Sequence, residues 1–148
     1  RHAKVDYATY KIGMTLYKKS HKFAGRDQKW TSQAIYIWTG FEQRFPESEH
    51  RVEVEEKRWE CLERLAKKEL QIAEFYAKRA AWEAVRRRSL GVYTDFPDSE
   101  YAPKARVLQV QSLAELERWD ELGELWKQVQ TESPEAGNKL RQSYSELP

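Results

Sequence analysis

Arg86, Arg87 and Arg88 stand in a row between apolar residues of helical spacing, and a planar guanidinium can hold a carboxylate through two parallel N–H donors. An acidic partner is the chemistry such a triplet can serve. Successive helical residues fan out by about 100°, so the three cannot face one way. With Trp82, Val85, Ser89, Val92, Tyr93 and Phe96 inward, Arg87 points to water and Arg86 and Arg88 flank the buried stripe on opposite sides. The plain alternative is a solvated helix face making surface ion pairs of little energetic worth. A second polar cluster, Arg26-Asp27-Gln28, falls in a loop. It is either part of a docking surface, or Asp27 caps the next helix while Arg26 stitches the loop to a neighbour.

Catalytic groupings are missing from the pattern. His2, His21 and His50 are scattered, with no His-Glu-x-x-His spacing and no cysteine pair, so no metal site is expected. There is no Gly-rich phosphate loop and no serine elbow, and no cofactor or enzymatic activity is expected. The many Glu and Asp pairs read as charge on amphipathic helices. The lone Cys61 sits in a charged helical context and reads as a half-buried structural thiol.

The elements that carry these residues repeat. Laying Tyr76 on Leu113, an offset of 37 residues, also puts Trp82 on Trp119, Glu83 on Asp120, Val85 on Leu122 and Pro97 on Pro134. A period in this range predicts stacked helix pairs, none able to bury its apolar face alone. Val5 to Lys19 is predicted as a helix, Ser20 to Gly25 as a break, and Trp30 to Phe45 as a second helix capped by Asp27. Glu49 to Arg79 contains no breaker and is predicted as one helix of around 45 Å, its first half packing on the previous repeat and its second half starting the next. Trp82 to Phe96 is the return helix, and Tyr101 to Glu117 with Trp119 to Thr131 form a last pair. Ser133-Pro134-Glu135 has the marks of a helix start, so 134–145 is expected to be a short cap. The expected fold is all-α, a right-handed tetratricopeptide-type solenoid of about three helix pairs plus the long bridging helix. It is read as a single domain over 1–148, with repeat-like blocks at about 5–46, 49–97 and 99–134.

Charged residues make up 34% of the chain yet nearly cancel, leaving +2. That balance is too small for a dedicated nucleic-acid binder, and none is expected. The chain has six tryptophans and eight tyrosines, and the aromatic spacing matches the expected buried stripes, which reads as core rather than a base-stacking platform. No apolar run is long enough to span a bilayer as a helix. Arg1 is not a methionine and no signal-like segment follows it, so the sequence is expected to be a fragment or a processed product.

Several strings together resemble one family. Val5-Asp6-Tyr7, Arg26-Asp27-Gln28, the Phe45-Pro46-Glu47-Ser48 corner, and Leu65-Ala66-Lys67-Lys68-Glu69-Leu70-Gln71-Ile72-Ala73-Glu74-Phe75-Tyr76 followed by Arg79-Ala80-Ala81-Trp82 are similar to the BamD family. These are tetratricopeptide lipoproteins of the bacterial outer-membrane β-barrel assembly machine. The resemblance covers nearly the whole chain but only the C-terminal repeats of the family. The signal peptide, the lipidated cysteine and the first two repeats have no counterpart. Membrane association is therefore expected only through a lipid anchor absent from this fragment, and recognition of unfolded clients is not expected. The Phe96-Pro97-Asp98-Ser99-Glu100-Tyr101-Ala102-Pro103 corner is shared with Tol-Pal-associated periplasmic repeat proteins.

The resemblance implies a non-catalytic scaffold on the periplasmic face of the outer membrane. It implies docking of the membrane-proximal POTRA domain of a BamA-type protein, with other BAM lipoproteins as further partners. Matching the motif from Trp82 places the family's docking arginine at Arg88, with Arg86, Arg87 and the loop triplet as companions. Ala80 stands where the family usually has glycine, which predicts a tighter or more helical turn. A Tol-Pal-type adaptor, or a helical domain cut from a cell-wall lytic enzyme, are the alternatives.

Overall fold

A residue before proline is pushed out of the helical region because the proline ring collides with its amide and Cβ. Phe45, Phe96 and Ser133 show the consequence in the computed structural model, which describes residues 3–148. Their φ/ψ values are −135/62, −132/59 and −140/60, and each closes a helix just before Pro46, Pro97 or Pro134. Two corners carry the same hydrogen bonds. Ser48 N–H donates to the Phe45 carbonyl, Arg51 N–H to the Ser48 carbonyl, and His50 N–H to Ser48 Oγ; Ser99, Ala102 and Tyr101 repeat the set around Phe96 and Ser99. A Phe-Pro-x-Ser corner is thus a serine-pinned turn that ends one helix and starts the next.

Helices fill the space between the corners, with no strand among the described residues. They are α1 (Ala3–Lys19), α2 (Lys29–Trp38), α3 (Phe41–Arg44), α4 (Arg51–Ala77), α5 (Trp82–Asp95), α6 (Ala102–Glu115), a 3-10 turn (Trp119–Glu121), α7 (Gly123–Glu132) and α8 (Pro134–Ser143). The fold is all-α and tetratricopeptide-like, as the periodicity implies. The long helix is real, α4 running unbroken for 27 residues.

Two predicted helices are interrupted. Gly40 takes φ 70 and separates α2 from α3, and the Arg44 guanidinium donates to the carbonyls of Ile37 and Thr39 that the break leaves open. Apolar spacing did not reveal it, because Trp38 and Phe41 on either side are both buried. The segment from Trp119 likewise begins as a 3-10 turn, and α7 starts only at Gly123, φ 38.

The chain divides into two compact units, Arg1–Leu65 and Ala66–Pro148. In the first, Ala34, Trp38, Phe41, Val54 and Cys61 form the core, with Tyr10, Met14 and Tyr17 packed around it. Three polar ties hold the first half of α4 to α1 and its end. Tyr10 Oη donates to Glu53 at 2.8 Å, Tyr17 Oη donates to Glu60, and Arg64 donates to Ser20 Oγ at 2.7 Å. In the second unit Leu70 of α4 meets Val92 of α5 and Ala105 of α6. A further core joins Val110, Leu113, Leu122, Trp126, Val129, Leu140 and Leu147.

The turn between α4 and α5 differs from its expected form. Ala80 adopts φ 54, the left-handed region, and is not folded into either helix. Ala80 N–H donates to Ala77 and Ala81 N–H to Tyr76, so the turn closes with the paired hydrogen bonds of a glycine-type helix cap although alanine occupies the position.

Candidate partner-docking site

Helix α5 is anchored by Val85, Ser89 and Val92, all fully buried, and this fixes where the arginines point. Ser89 Oγ lies 2.7 Å from both the Val85 carbonyl and Gln109 Oε1 of α6, a polar contact inside the α5–α6 interface. Arg86 leaves that stripe on one side and grips Glu83 one turn back, with Nη2 at 2.5 Å and Nε at 3.1 Å from Oε1. Those hydrogen bonds hold the Glu83 carboxyl below its ordinary range, and Arg118, 3.5 Å away, adds to the effect. Arg86 is thereby committed to its own helix. Arg87 is exposed and has no carboxylate within ion-pair distance among the described residues.

Arg88 leaves on the opposite side. Its Nη1 lies 3.1 Å from Glu69 Oε2 on α4, with the two side chains 47% and 34% exposed. Beside this pair lies an open recess of about 310 Å³ lined by Tyr76, Ala84, Arg87 and Arg88. Tyr76 meets Phe75 edge to face with ring centres 5.5 Å apart, and the Arg79 guanidinium lies 3.5 Å from the centre of the half-exposed Phe75 ring. Two guanidiniums and an aromatic rim suit an acidic side chain flanked by an apolar one.

The loop triplet does not form one face. Gln28 is only 3% exposed. Its amide donates to the carbonyls of His21 and Phe23 at 3.2 and 3.0 Å, and its Oε1 accepts from Thr31. Asp27 Oδ1 accepts the Lys29 N–H at 3.0 Å, so it caps α2 from one residue further out than expected, Gln28 occupying the boundary. Arg26 is exposed, its backbone N–H held by the Phe23 carbonyl. The triplet belongs to the first compact unit and the arginine triplet to the second.

The remaining reactive side chains are spread out. His50 stacks on Tyr10, ring centres 4.1 Å apart, His21 is exposed, and His2 lies outside the described residues. No group of three or more His, Cys, Asp or Glu is placed to hold a metal among the described residues. Cys61 is fully buried rather than half-buried, and burial pushes its thiol up to about 11. Among the described residues no helix is long and apolar enough to cross a membrane.

Comparison with known proteins settles the family. The family model for YfiO, an outer membrane lipoprotein, matches residues 1–122. The chain belongs to the YfiO outer membrane lipoprotein family. Among its relatives is the outer membrane protein assembly factor BamD of Vibrio cholerae serotype O1, 27% identical over 124 residues, which cover 78% of this chain and 52% of that protein. BamD of Neisseria gonorrhoeae is 24% identical over 114 residues, covering 71% and 43%. The chain thus spans about half the length of these curated relatives. Membership in the YfiO family places it at the outer membrane.

For this YfiO-family chain, the sequence singles out Arg88 but not the residues that surround it. Glu69 lies on a different helix, so no local spacing ties it to Arg88. Tyr76 belongs to the repeat register, while its neighbour Phe75, outside that register, is half exposed.

Proposed function

We propose that this chain is a non-catalytic scaffold of the outer-membrane β-barrel assembly machinery. It works at the periplasmic face of the outer membrane and docks the membrane-proximal POTRA domain of a BamA-type protein. Family membership and the name of the relatives support the setting. The observation that carries the contact is Arg88. It is half exposed, tied to Glu69 through one guanidinium nitrogen, and stands at the rim of a recess that it shares with Arg87 and Tyr76. A guanidinium with an unused edge can take a second carboxylate without being pulled out of a buried pair. Arg87 supplies further positive charge to the same recess, and Tyr76 and Ala84 give it apolar lining. Arg86 shapes the helix from its own ion pair, while Arg26 and Asp27 lie on the exposed loop that Gln28 holds from inside.

Isothermal titration of the chain against the membrane-proximal POTRA domain of its cognate BamA-type protein tests this. Saturable binding that Arg88→Glu weakens at least tenfold is expected. A well-folded chain that binds no POTRA domain, or an Arg88→Glu variant that binds as well as the parent, overturns the reading.

A further inference from the structure

The loop between α1 and α2 presents a different kind of surface. From Lys18 to Trp30 there are five basic residues and one acid, a segment charge of +4 in a chain whose total is +2. The acid, Asp27, is already turned to a backbone N–H. Lys18, Lys19, Lys22 and Lys29 are exposed and make no ion pair among the described residues. Lys19 and Lys29 instead place their ammonium groups 5.3 and 5.4 Å from the Trp30 ring centre. At the tip, Phe23 is 69% exposed.

An apolar ring in water is normally tucked under by a shift of its loop, and this loop is pinned against such a shift. Buried Gln28 binds the carbonyls of His21 and of Phe23 itself, and the next residue, Ala24, is 4% exposed. The phenyl ring is held outward over Gly25, where an added Cβ would stand 2.8 Å from it. Flexible lysine stems carrying compact charges suit a diffuse anionic layer better than a fixed carboxylate, for which arginine forks are better shaped. An outward phenyl ring and a tryptophan among lysines are the side chains that settle at a bilayer interface. A protein of an outer membrane lipoprotein family has that interface within reach.

We propose that the α1–α2 loop is a lipid-contacting element, Phe23 entering the headgroup region of a bilayer while the surrounding lysines face anionic lipid phosphates. The inference stands apart from the Arg88 reading, since it uses other residues in the other compact unit.

Co-sedimentation of the whole chain with vesicles tests it, comparing phosphatidylglycerol in a phosphatidylethanolamine background with neutral phosphatidylcholine. Binding to the anionic vesicles only is expected, weakened about tenfold or more by the pair Lys22→Glu and Lys29→Glu, and lost in high salt. Phe23→Ser is expected to weaken it too while leaving the helical circular dichroism unchanged. Failure to bind anionic vesicles, or binding that Phe23→Ser leaves intact, overturns the proposal. Phe23-dependent retention on immobilised polyglutamate without vesicle binding also overturns it and makes the loop a protein-docking element.

Discussion

Ala80 and Glu117 are the non-glycine residues of the described chain in the left-handed region, φ 54 and φ 56, and they lie one repeat offset apart. Their hydrogen bonds match as well. Ala81 N–H reaches back to Tyr76 and Arg118 N–H to Leu113, while Ala80 N–H and Glu117 N–H reach Ala77 and Ala114. The same helix cap is built twice without the residue that makes it easiest. A Cβ in this conformation costs about 1–2 kcal/mol, and glycine gives back part of the gain through its more flexible unfolded chain. Ala80→Gly and Glu117→Gly are each expected to stabilise by about 0.5–1 kcal/mol, read from denaturant melts. A loss of stability at either site would show that the side chain makes a contact outweighing the strain.

Arg88 and Glu69 are exposed enough that their pair contributes only about 0–1 kcal/mol to folding. Arg88→Glu should therefore leave the thermal midpoint within a few degrees of the parent chain, so that any loss of POTRA binding is not a folding defect. Glu69→Gln removes the internal competitor for the guanidinium, and POTRA affinity is expected to hold or rise. A drop in affinity comparable to that of Arg88→Glu would mean that Glu69 positions Arg88 rather than competing for it.

The corners and helices were legible because proline acts locally and apolar spacing recurs: Phe45, Phe96 and Ser133 could be placed from the residue that follows each. Gly40 and Gly123 were not, since the buried residues on both sides keep the helical stripe in phase across the break. Arg88 stood out through its motif, whereas Glu69 opposite it did not, because which helices lie side by side is a tertiary fact. Ser89 with Gln109 is a second instance. Two ordinary surface residue types are buried as a hydrogen-bonded pair, and only the α5–α6 packing reveals it.

Cys61 is pushed up to about 11 from 9.0 by burial, and Tyr144 to about 12 from 10.0 by burial and its hydrogen bond to Glu115. Groups with a raised folded pKa keep their protons longer in the folded state. Below about pH 9 both states hold them and stability does not change through these groups. From 9 upward the unfolded chain ionises first, so stability falls as pH rises, through Cys61 to about 11 and through Tyr144 between about 10 and 12. Denaturation midpoints measured from about pH 8 to 10.5 should decline, and Cys61→Ala should flatten the first part of that decline. At about pH 8 the native thiol should resist iodoacetamide and react once the chain is denatured.

The loop tests a ranking. Asp27→Ala removes one exposed cap and is expected to cost about 1 kcal/mol. Gln28→Ala strips a buried amide of its bonds to two carbonyls and a hydroxyl, and is expected to cost about 2–3 kcal/mol because the loop groups it served lose partners in a buried setting. Equal melting temperatures for the two variants would mean that the loop relaxes to water without it.

Gly13 sets helix propensity against packing. It lies in the middle of α1, where alanine is favoured over glycine by about 1 kcal/mol. A Cβ there would stand 2.7 Å from Trp38 Cδ1 and closer still to Nε1 and Cε2 of the same ring. Trp38 is 1% exposed and sits in the core of the first unit, so its ring has no room to retreat. Overpacking a closed core costs about 1–3 kcal/mol or more, and a clash with a rigid indole belongs at the upper end. Gly13→Ala is therefore expected to destabilise by about 2 kcal/mol net, with a change in the near-ultraviolet tryptophan signal. The double variant Gly13→Ala with Trp38→Phe should recover part of the loss, because the smaller ring vacates the space and the propensity gain remains. If the single substitution proves stabilising, α1 is free to move away from Trp38.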